Sequence, residues 1–354
     1  MEITKISEKD LLSRLQPGVV LIPPLVVRQV TVQEAGDRAD ARAELGLADG
    51  NAGWRFVIEV KAQSTPQAVQ SAVAQARALA RGEERPLILV PYLSSERLAA
   101  LEREGASGVD LCGNGTVTVA GRFYLFRSGQ PNLYPESRPL NNPYAGRSAL
   151  VSRVLLVRPR WRTLTELADA VHQSGCGLSL SQVSKAVQAL SEDVIVSKRG
   201  GEIALLEPAR LLDRLGAAWR GTPVSASYLL RLKPGTEWNQ ALAAAAGLRW
   251  SVSGTCSVRR YAALGESGPW RVAVDNLARA VKSLGGETEA VPAFSDIELA
   301  ETEEPGAFFQ TETDVSGTRW ASPIQCWLEL QAGDARQRQA AEEIRVRILK
   351  GGGV

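Results

Sequence analysis

A chain of 354 residues and 38.0 kDa is longer than one small domain needs, and two or three domains are expected. Its 44% hydrophobic and 23% charged residues exclude wholesale disorder, and 41 Lys and Arg against 39 Asp and Glu leave +2, which excludes a polycation and confines any nucleic-acid contact to a local patch. One histidine, His172, excludes Ser-His-Asp hydrolysis and His-ligated zinc unless His172 itself is the base, and its place near the end of a helix points to an ordinary surface or core residue.

The N-terminus from Met1 to Lys5 has no apolar core, so no signal peptide is expected. The longest apolar run, residues 19–27, is short and broken by Pro23 and Pro24, so no membrane contact is expected. Cysteines 112, 176, 256 and 326 form no Cys-x-x-Cys pair and read as reduced, mostly buried thiols of a cytoplasmic protein. The chain has neither a Gly-x-Gly-x-x-Gly pattern nor a Walker lysine, which argues against a nucleotide cofactor.

The first block, residues 1–129, reads as alternating strands and helices. Residues 54–61 form a β-branched-rich strand in which Phe56, Ile58 and Val60 share one face, and Val57, Glu59 and Lys61 the other. A strand at residues 39–45 pairs with it through the Gly/Asp/Asn-rich turn 46–53, which brings Asp40 near Glu59. A helix over residues 66–80 follows, with Val69, Ala72, Val73, Ala76 and Leu79 as its packed stripe. Then come a strand at 86–92, a helix opened by Ser94-Ser95-Glu96, and strands at 108–114 and 122–126.

Two carboxylates and a lysine converging at one sheet edge suit a hard cation: Asp40 and Glu59 supply oxygen ligands for Mg²⁺, and Lys61 orients or helps deprotonate an attacking water beside a scissile phosphate. Asp37 is a rival ligand, and a same-face Glu and Lys is also a common surface ion pair. The order strand, strand with Glu-x-Lys, helix, strand resembles the PD-(D/E)xK nuclease superfamily, restriction-endonuclease-like in fold, over roughly residues 15–128. The resemblance implies catalytic roles for Asp40, Glu59 and Lys61 and Mg²⁺ as cofactor. Ala39 stands where that family's proline would precede the aspartate.

Residues 130–147, with Pro131, Pro135, Pro139 and Pro143, read as a linker. Residues 148–221 read as three helices and a hairpin: 148–158, 163–173 with Thr163 as N-cap and Glu166 at the capping-box position, 179–192, and a hairpin over 194–206 turning at Gly200-Gly201. In the third helix Leu180, Val183, Val187 and Leu190 form the core stripe. Ser181, Gln182, Ser184, Lys185 and Gln188 are left outward, and Lys198 and Arg199 sit at the hairpin tip. This pattern resembles a winged helix-turn-helix, which implies double-stranded DNA as partner, with the third helix in the major groove and the hairpin on phosphates. Ten Lys/Arg against seven Asp/Glu over residues 148–220 give a modest +3; a helical protein-interaction module is the competing reading.

Residues 222–354 read as a C-terminal α/β domain: strands at 228–232, 270–274 and 296–299, helices at 238–246, 276–284 and 335–349, and a short helix reaching 261–264. Between Ser283 and Gly317 lie nine Asp/Glu and no Lys/Arg, either a solvated face, a dock for a basic partner, or a cover that repels DNA. Residues 208–215, 321–330 and 340–345, with the strand motif 108–114, resemble the antitoxin family of abortive-infection type IV toxin–antitoxin systems, although Trp327 and Glu329 stand where Tyr and Asp are more frequent. That resemblance implies operator binding, autorepression and a nucleotidyltransferase-like toxin as protein partner; a homodimer is compatible with it. The sequence therefore predicts an α/β multidomain protein: a restriction-endonuclease-like α/β domain, a winged helix-turn-helix and a C-terminal α/β domain. Its expected function is DNA-binding transcriptional regulation of antitoxin type, with Mg²⁺-dependent DNA cleavage as the alternative.

Overall fold

The computed structural model describes residues 6–32, 38–48, 50, 52–134, 142–262, 268–285, 287–289 and 294–350. The chain is mixed α/β and divides into two compact units, Met1–Pro139 with Glu192–Val194, and the remainder from Leu140 to Val354. No helix among the described residues is long and apolar enough to cross a membrane.

The first unit runs α1 (Glu8–Leu12), β1 (Val20–Ile22), β2 (Leu25–Val32), β3 (Ala41–Leu47), β4 (Gly53–Val60), α2 (Pro66–Leu79), β5 (Arg85–Val90), α3 (Ser95–Arg103), β6 (Ser107–Asp110), β7 (Gly115–Val119) and β8 (Phe123–Arg127). Its eight strands lie in one sheet in sequence order. β1 to β4 form an antiparallel meander, β4, β5 and β6 are parallel with α2 and α3 as crossovers, and β7 and β8 close it antiparallel. Helical crossovers cover a parallel sheet, so its strands read as nearly continuous apolar runs. β4 and β5 obey this, being buried over their last four residues. Phe56, Ile58, Val60, Leu87 and Leu89 pack with Leu11 and Leu15 on one face. Ile88 and Val90 lie on the other, with Val69, Ala72 and Val73 of α2 and Leu98 and Leu101 of α3.

Helix α2 opens where the sequence places it, with Pro66 at its first turn and Thr65 accepting the Ala68 N–H at 3.3 Å. Helix α3 is seated close: a Cβ at Gly108 would stand 2.6 Å from Leu101 and 2.9 Å from Ile88. The motif at residues 108–114 is a locked turn in which Asp110 accepts the N–H groups of Leu93, Cys112 and Asn114 at 2.7–2.8 Å. Strand β7, unmarked in the sequence, follows that turn. Residues 130–134, read as linker, begin fastened to this unit, with the Gln130 N–H on Asn114 Oδ1 at 2.8 Å.

The second unit starts with α4 (Ala149–Val157), β9 (Arg160–Trp161), α5 (Leu164–Gln173), α6 (Leu180–Glu192), β10 (Val196–Arg199), β11 (Glu202–Leu205) and α7 (Pro208–Ala218). Strands β10, β11 and β9 make a small antiparallel sheet. Thr163 caps α5, accepting the Glu166 N–H at 3.1 Å. Glu166 does not complete the expected capping box: its carboxylate takes the Arg162 N–H instead and pairs with Arg158 at 2.6 Å, because that guanidinium draws it past Thr163.

The unit continues with β12 (Ala226–Arg231), α8 (Trp238–Ala244), β13 (Trp250–Val252), β14 (Trp270–Val274), α9 (Leu277–Leu284), β15 (Glu287–Glu289), β16 (Ile297–Glu301), β17 (Glu312–Thr313), β18 (Arg319–Trp320), α10 (Pro323–Gln331) and α11 (Ala335–Leu349). These strands form a seven-stranded mixed sheet in the order β15-β12-β16-β14-β13-β18-β17. One apolar core runs across position 221: Leu155, Leu167, Val187 and Leu211 pack in the same cluster as Trp327, Leu330, Ile344 and Ile348.

A buried polar network reinforces that continuity. Arg153 of α4, 2% exposed, donates Nη1 to Gly306 O at 2.9 Å and to Gln325 Oε1 at 2.7 Å, and its guanidinium faces the Trp219 ring at 5.8 Å. Gln325 Nε2 donates to Thr222 Oγ1 at 3.0 Å and to Glu329 Oε1 at 2.7 Å, where Ser253 Oγ also donates. Burial pulls Arg153 down to about 10 and the charges of Glu304 and Glu329 hold it up, so it stays cationic at neutral pH. A Cβ on Gly306 would stand 2.6 Å from Arg153 Cζ. Gly306→Ala is therefore expected to cost about 1–3 kcal/mol, read as a lowered urea midpoint at unchanged m-value.

Candidate functional site

In the first unit, β3 and β4 pair in the register Ala41↔Ile58, which places Asp40, one residue before β3, beside Glu59 and Val60. Asp40 Oδ2 accepts the Val60 N–H at 2.8 Å, so it bridges the end of β4 that carries Glu59. Glu59 is 3% exposed, and its Oε1 is buried without a hydrogen-bond partner. Lys61 Nζ approaches Glu59 Oε2 at 3.6 Å, a loose ion pair with a partly exposed lysine. Glu59 shares the α2 side of the sheet with Val57, which packs on Ala76, as the strand alternation predicts. The tertiary structure thus brings together Asp40, Glu59 and Lys61. Asp37 lies outside the described residues.

Burial first, then the charge of Asp40, pushes the Glu59 carboxyl up to about 7, with Lys61 opposing. Two carboxylates held this close favour a shared proton or a cation between them. Among the described residues no three His, Cys, Asp or Glu side chains gather into a ready metal cage. Mg²⁺ needs less, because it is held by one or two carboxylates with waters and phosphate oxygens completing its shell. The buried, unpartnered Glu59 Oε1 beside Asp40 fits that demand.

In the second unit, α6 and the β10–β11 hairpin carry the remaining sequence-predicted residues. Ser181, Lys185 and Gln188 are exposed on α6, and Ser184 is half-buried. Gln182 is partly consumed: its Oε1 accepts the Ser179 N–H at 2.8 Å and its own N–H donates to Ser179 Oγ at 3.3 Å, a capping box at the start of α6. Lys198 and Arg199 are exposed next to Gly200 (φ 59°) and Gly201 (φ 91°), a pair of positive-φ positions that closes a tight hairpin. The sequence reading missed Arg160 and Arg162, exposed on and beside β9, which lines up against β11. The signal that marks them is an arginine at every second position, 158, 160 and 162, the period of a strand. His172 is exposed at the end of α5.

The acidic stretch is a set of local ligands. Asp296 accepts the Leu232 N–H at 2.7 Å, Glu298 pairs with Arg271, and Glu301 accepts the Leu277 N–H at 2.8 Å. Glu312 pairs with Arg260 and Arg347. Asp314 takes the Ser316 and Thr318 N–H groups and Trp320 Nε1, which lowers it to about 2, hydrogen bonding to Ser316 leading. All four cysteines are free thiols, three of them buried. Comparisons with protein-family models, curated proteins and solved structures find no match to this chain.

The raised Glu59 carboxyl gives stability a signed pH dependence. Between its ordinary value of 4.5 and about 7 the folded chain keeps a proton that the unfolded chain has lost, so this contribution is full below 4.5 and declines as pH rises through the window. Without divalent cation, Glu59→Gln is expected to gain stability relative to the parent as pH rises from 5 to 8, measured by urea unfolding at both values.

Proposed function

We propose that this chain is a DNA-binding transcriptional regulator of antitoxin type that holds duplex DNA through a winged helix-turn-helix spanning α4 to β11. The observation that carries this reading is the outward polar face of α6, with Ser181, Lys185 and Gln188 exposed, flanked by a hairpin exposing Lys198 and Arg199. On this reading α6 enters the major groove, Ser181, Ser184 and Gln188 meet base edges or phosphates, and Lys185, Lys198 and Arg199 neutralise phosphates and release counterions. Gln182 contributes only its Nε2 group, because its oxygen caps α6. A nucleotidyltransferase-like toxin would be the protein partner, and a homodimer would suit a two-fold operator.

Fluorescence anisotropy on a labelled duplex from the gene's own upstream region tests it. Lys185→Ala and Lys198→Ala are each expected to weaken binding severalfold and to lower the slope of log K against log salt by about 1. Unchanged affinity in both variants, or no salt-sensitive affinity in the parent, overturns the reading and leaves a protein-interaction module.

The unpartnered Glu59 oxygen favours a second reading, a Mg²⁺-dependent DNA endonuclease with a restriction-endonuclease-like first unit. Asp40 and Glu59 would hold the ion, and Lys61 would orient a water and offset phosphate charge. The bound ion would supply Lewis-acid polarisation of the phosphoryl oxygen and a more acidic water. Plasmid nicking in Mg²⁺ is expected to be lost in Glu59→Ala and Lys61→Ala; no cleavage by the parent in Mg²⁺ or Mn²⁺ overturns this reading.

A further inference from the structure

A half-open cavity of about 500 Å³ lies within the second unit, between the end of α4, β9, the end of α5 and the segment after the Pro305–Phe308 turn. Its volume falls in the range of small-molecule sites. The floor is apolar and well packed: Val154, Trp161 and Phe309 are 4%, 5% and 2% exposed, while Val157 at the rim is 45% exposed.

Two guanidinium groups face this cavity in similar fashion. Arg158 Cζ lies 4.1 Å from the centre of the Trp161 ring, and Arg249 Cζ lies 5.0 Å from the centre of the Phe308 ring. Each is steadied by one acid outside the cavity lining, Arg158 through Nη2 on Glu166 and Arg249 through Nε on Asp275 at 2.9 Å. Among the described residues, Arg158 Nη1 and both Nη groups of Arg249 make no hydrogen bond within the protein. No aspartate or glutamate lines the cavity. Both guanidinium groups are about half exposed, at 51% and 49%, and their remaining N–H groups are strong donors to carboxylate or sulfonate oxygens. Gln310 on the same wall is held at φ 51°, a left-handed conformation that costs a non-glycine residue about 1 kcal/mol and is concentrated at ligand sites.

We propose that this cavity binds an amphipathic organic anion, an aromatic ring bearing one carboxylate or sulfonate, with the ring against Val157 and Phe308 and the anionic group between Arg158 and Arg249. Neither the DNA-binding reading nor the cleavage reading is needed for it. An inorganic anion would engage the guanidinium groups but leave the apolar floor of Val154 and Phe309 unused, and a neutral ring would leave the free guanidinium N–H groups unused.

The test uses the full chain and the dye 8-anilinonaphthalene-1-sulfonate, with its uncharged analogue N-phenyl-1-naphthylamine as comparison. Saturable one-to-one binding of the sulfonate is expected, with at least tenfold weaker binding of the neutral analogue. Arg249→Gln is expected to weaken the sulfonate at least tenfold. Because that change also removes the pair with Asp275, Val157→Glu is the second variant: it leaves both ion pairs and the core in place, sets a carboxylate at the rim, and is expected to abolish dye binding at an unchanged melting temperature. Absence of saturable binding, equal affinity for the neutral analogue, or unchanged affinity in Val157→Glu overturns the proposal.

Discussion

A charge removed from water is stable only when matched by an opposite charge or by hydrogen bonds, and this chain satisfies that constraint at one place and leaves it open at another. At Arg153 it is met: two carbonyl-type acceptors, a tryptophan face and the nearby charges of Glu304 and Glu329 surround a guanidinium that is 2% exposed. At Glu59 it is not: one oxygen is buried without a partner, the other meets Lys61 at 3.6 Å, and Asp40 adds a second negative charge. Matched burial builds a scaffold, whereas unmatched burial stores a demand for a proton or a cation.

The matched charge makes the second unit one body. Arg153 lies on α4, which packs against α5 and α7, and its acceptors come from the segment after β16 and from α10. The network through Gln325 and Glu329 then reaches Thr222 and Ser253. The helices that carry the exposed face of α6 are therefore backed by α10 and α11 through a continuous apolar core. The cavity takes its walls from both halves of this body, from the ends of α4 and α5 and β9 on one side and from Arg249 and residues 308–310 on the other. The acidic residues after Ser283 serve the same end, since Asp296, Glu301 and Asp314 tie strands and turns to one another by accepting backbone N–H groups.

In the first unit the unmatched charge depends on strand register. A shift of one residue between β3 and β4 would move Asp40 away from the end of β4 and turn its neighbours to the other face. The apolar residues that alternate with the site, Phe56, Ile58 and Val60, hold the register because their whole face is buried. The candidate chemistry therefore rests on packing that never touches it.

Much of this was legible in the sequence. The alternation in residues 54–61 assigned Glu59 and Lys61 to one face, Pro66 marked the start of α2, and the 3.6-residue stripe of α6 picked out Val183, Val187 and Leu190 as buried, whereas Leu180, expected in the same stripe, is 49% exposed because it is the first residue of the helix. Such periodicities are local, since they follow from where Cβ points along a helix or a strand. The short strands β9, β13 and β18 carry too little period to be read locally and are set by pairing with longer neighbours, β7 is set by pairing with β6 and β8, and β1 and β2 read only as an apolar run because Pro23 and Pro24 interrupt it. That Arg153 is a core residue, that Gln182 caps its own helix, and that Arg158 and Arg249 face one cavity were decided by tertiary structure alone. Burial of a charge depends on partners that the chain brings in from as many as 172 residues away, and no local pattern records them.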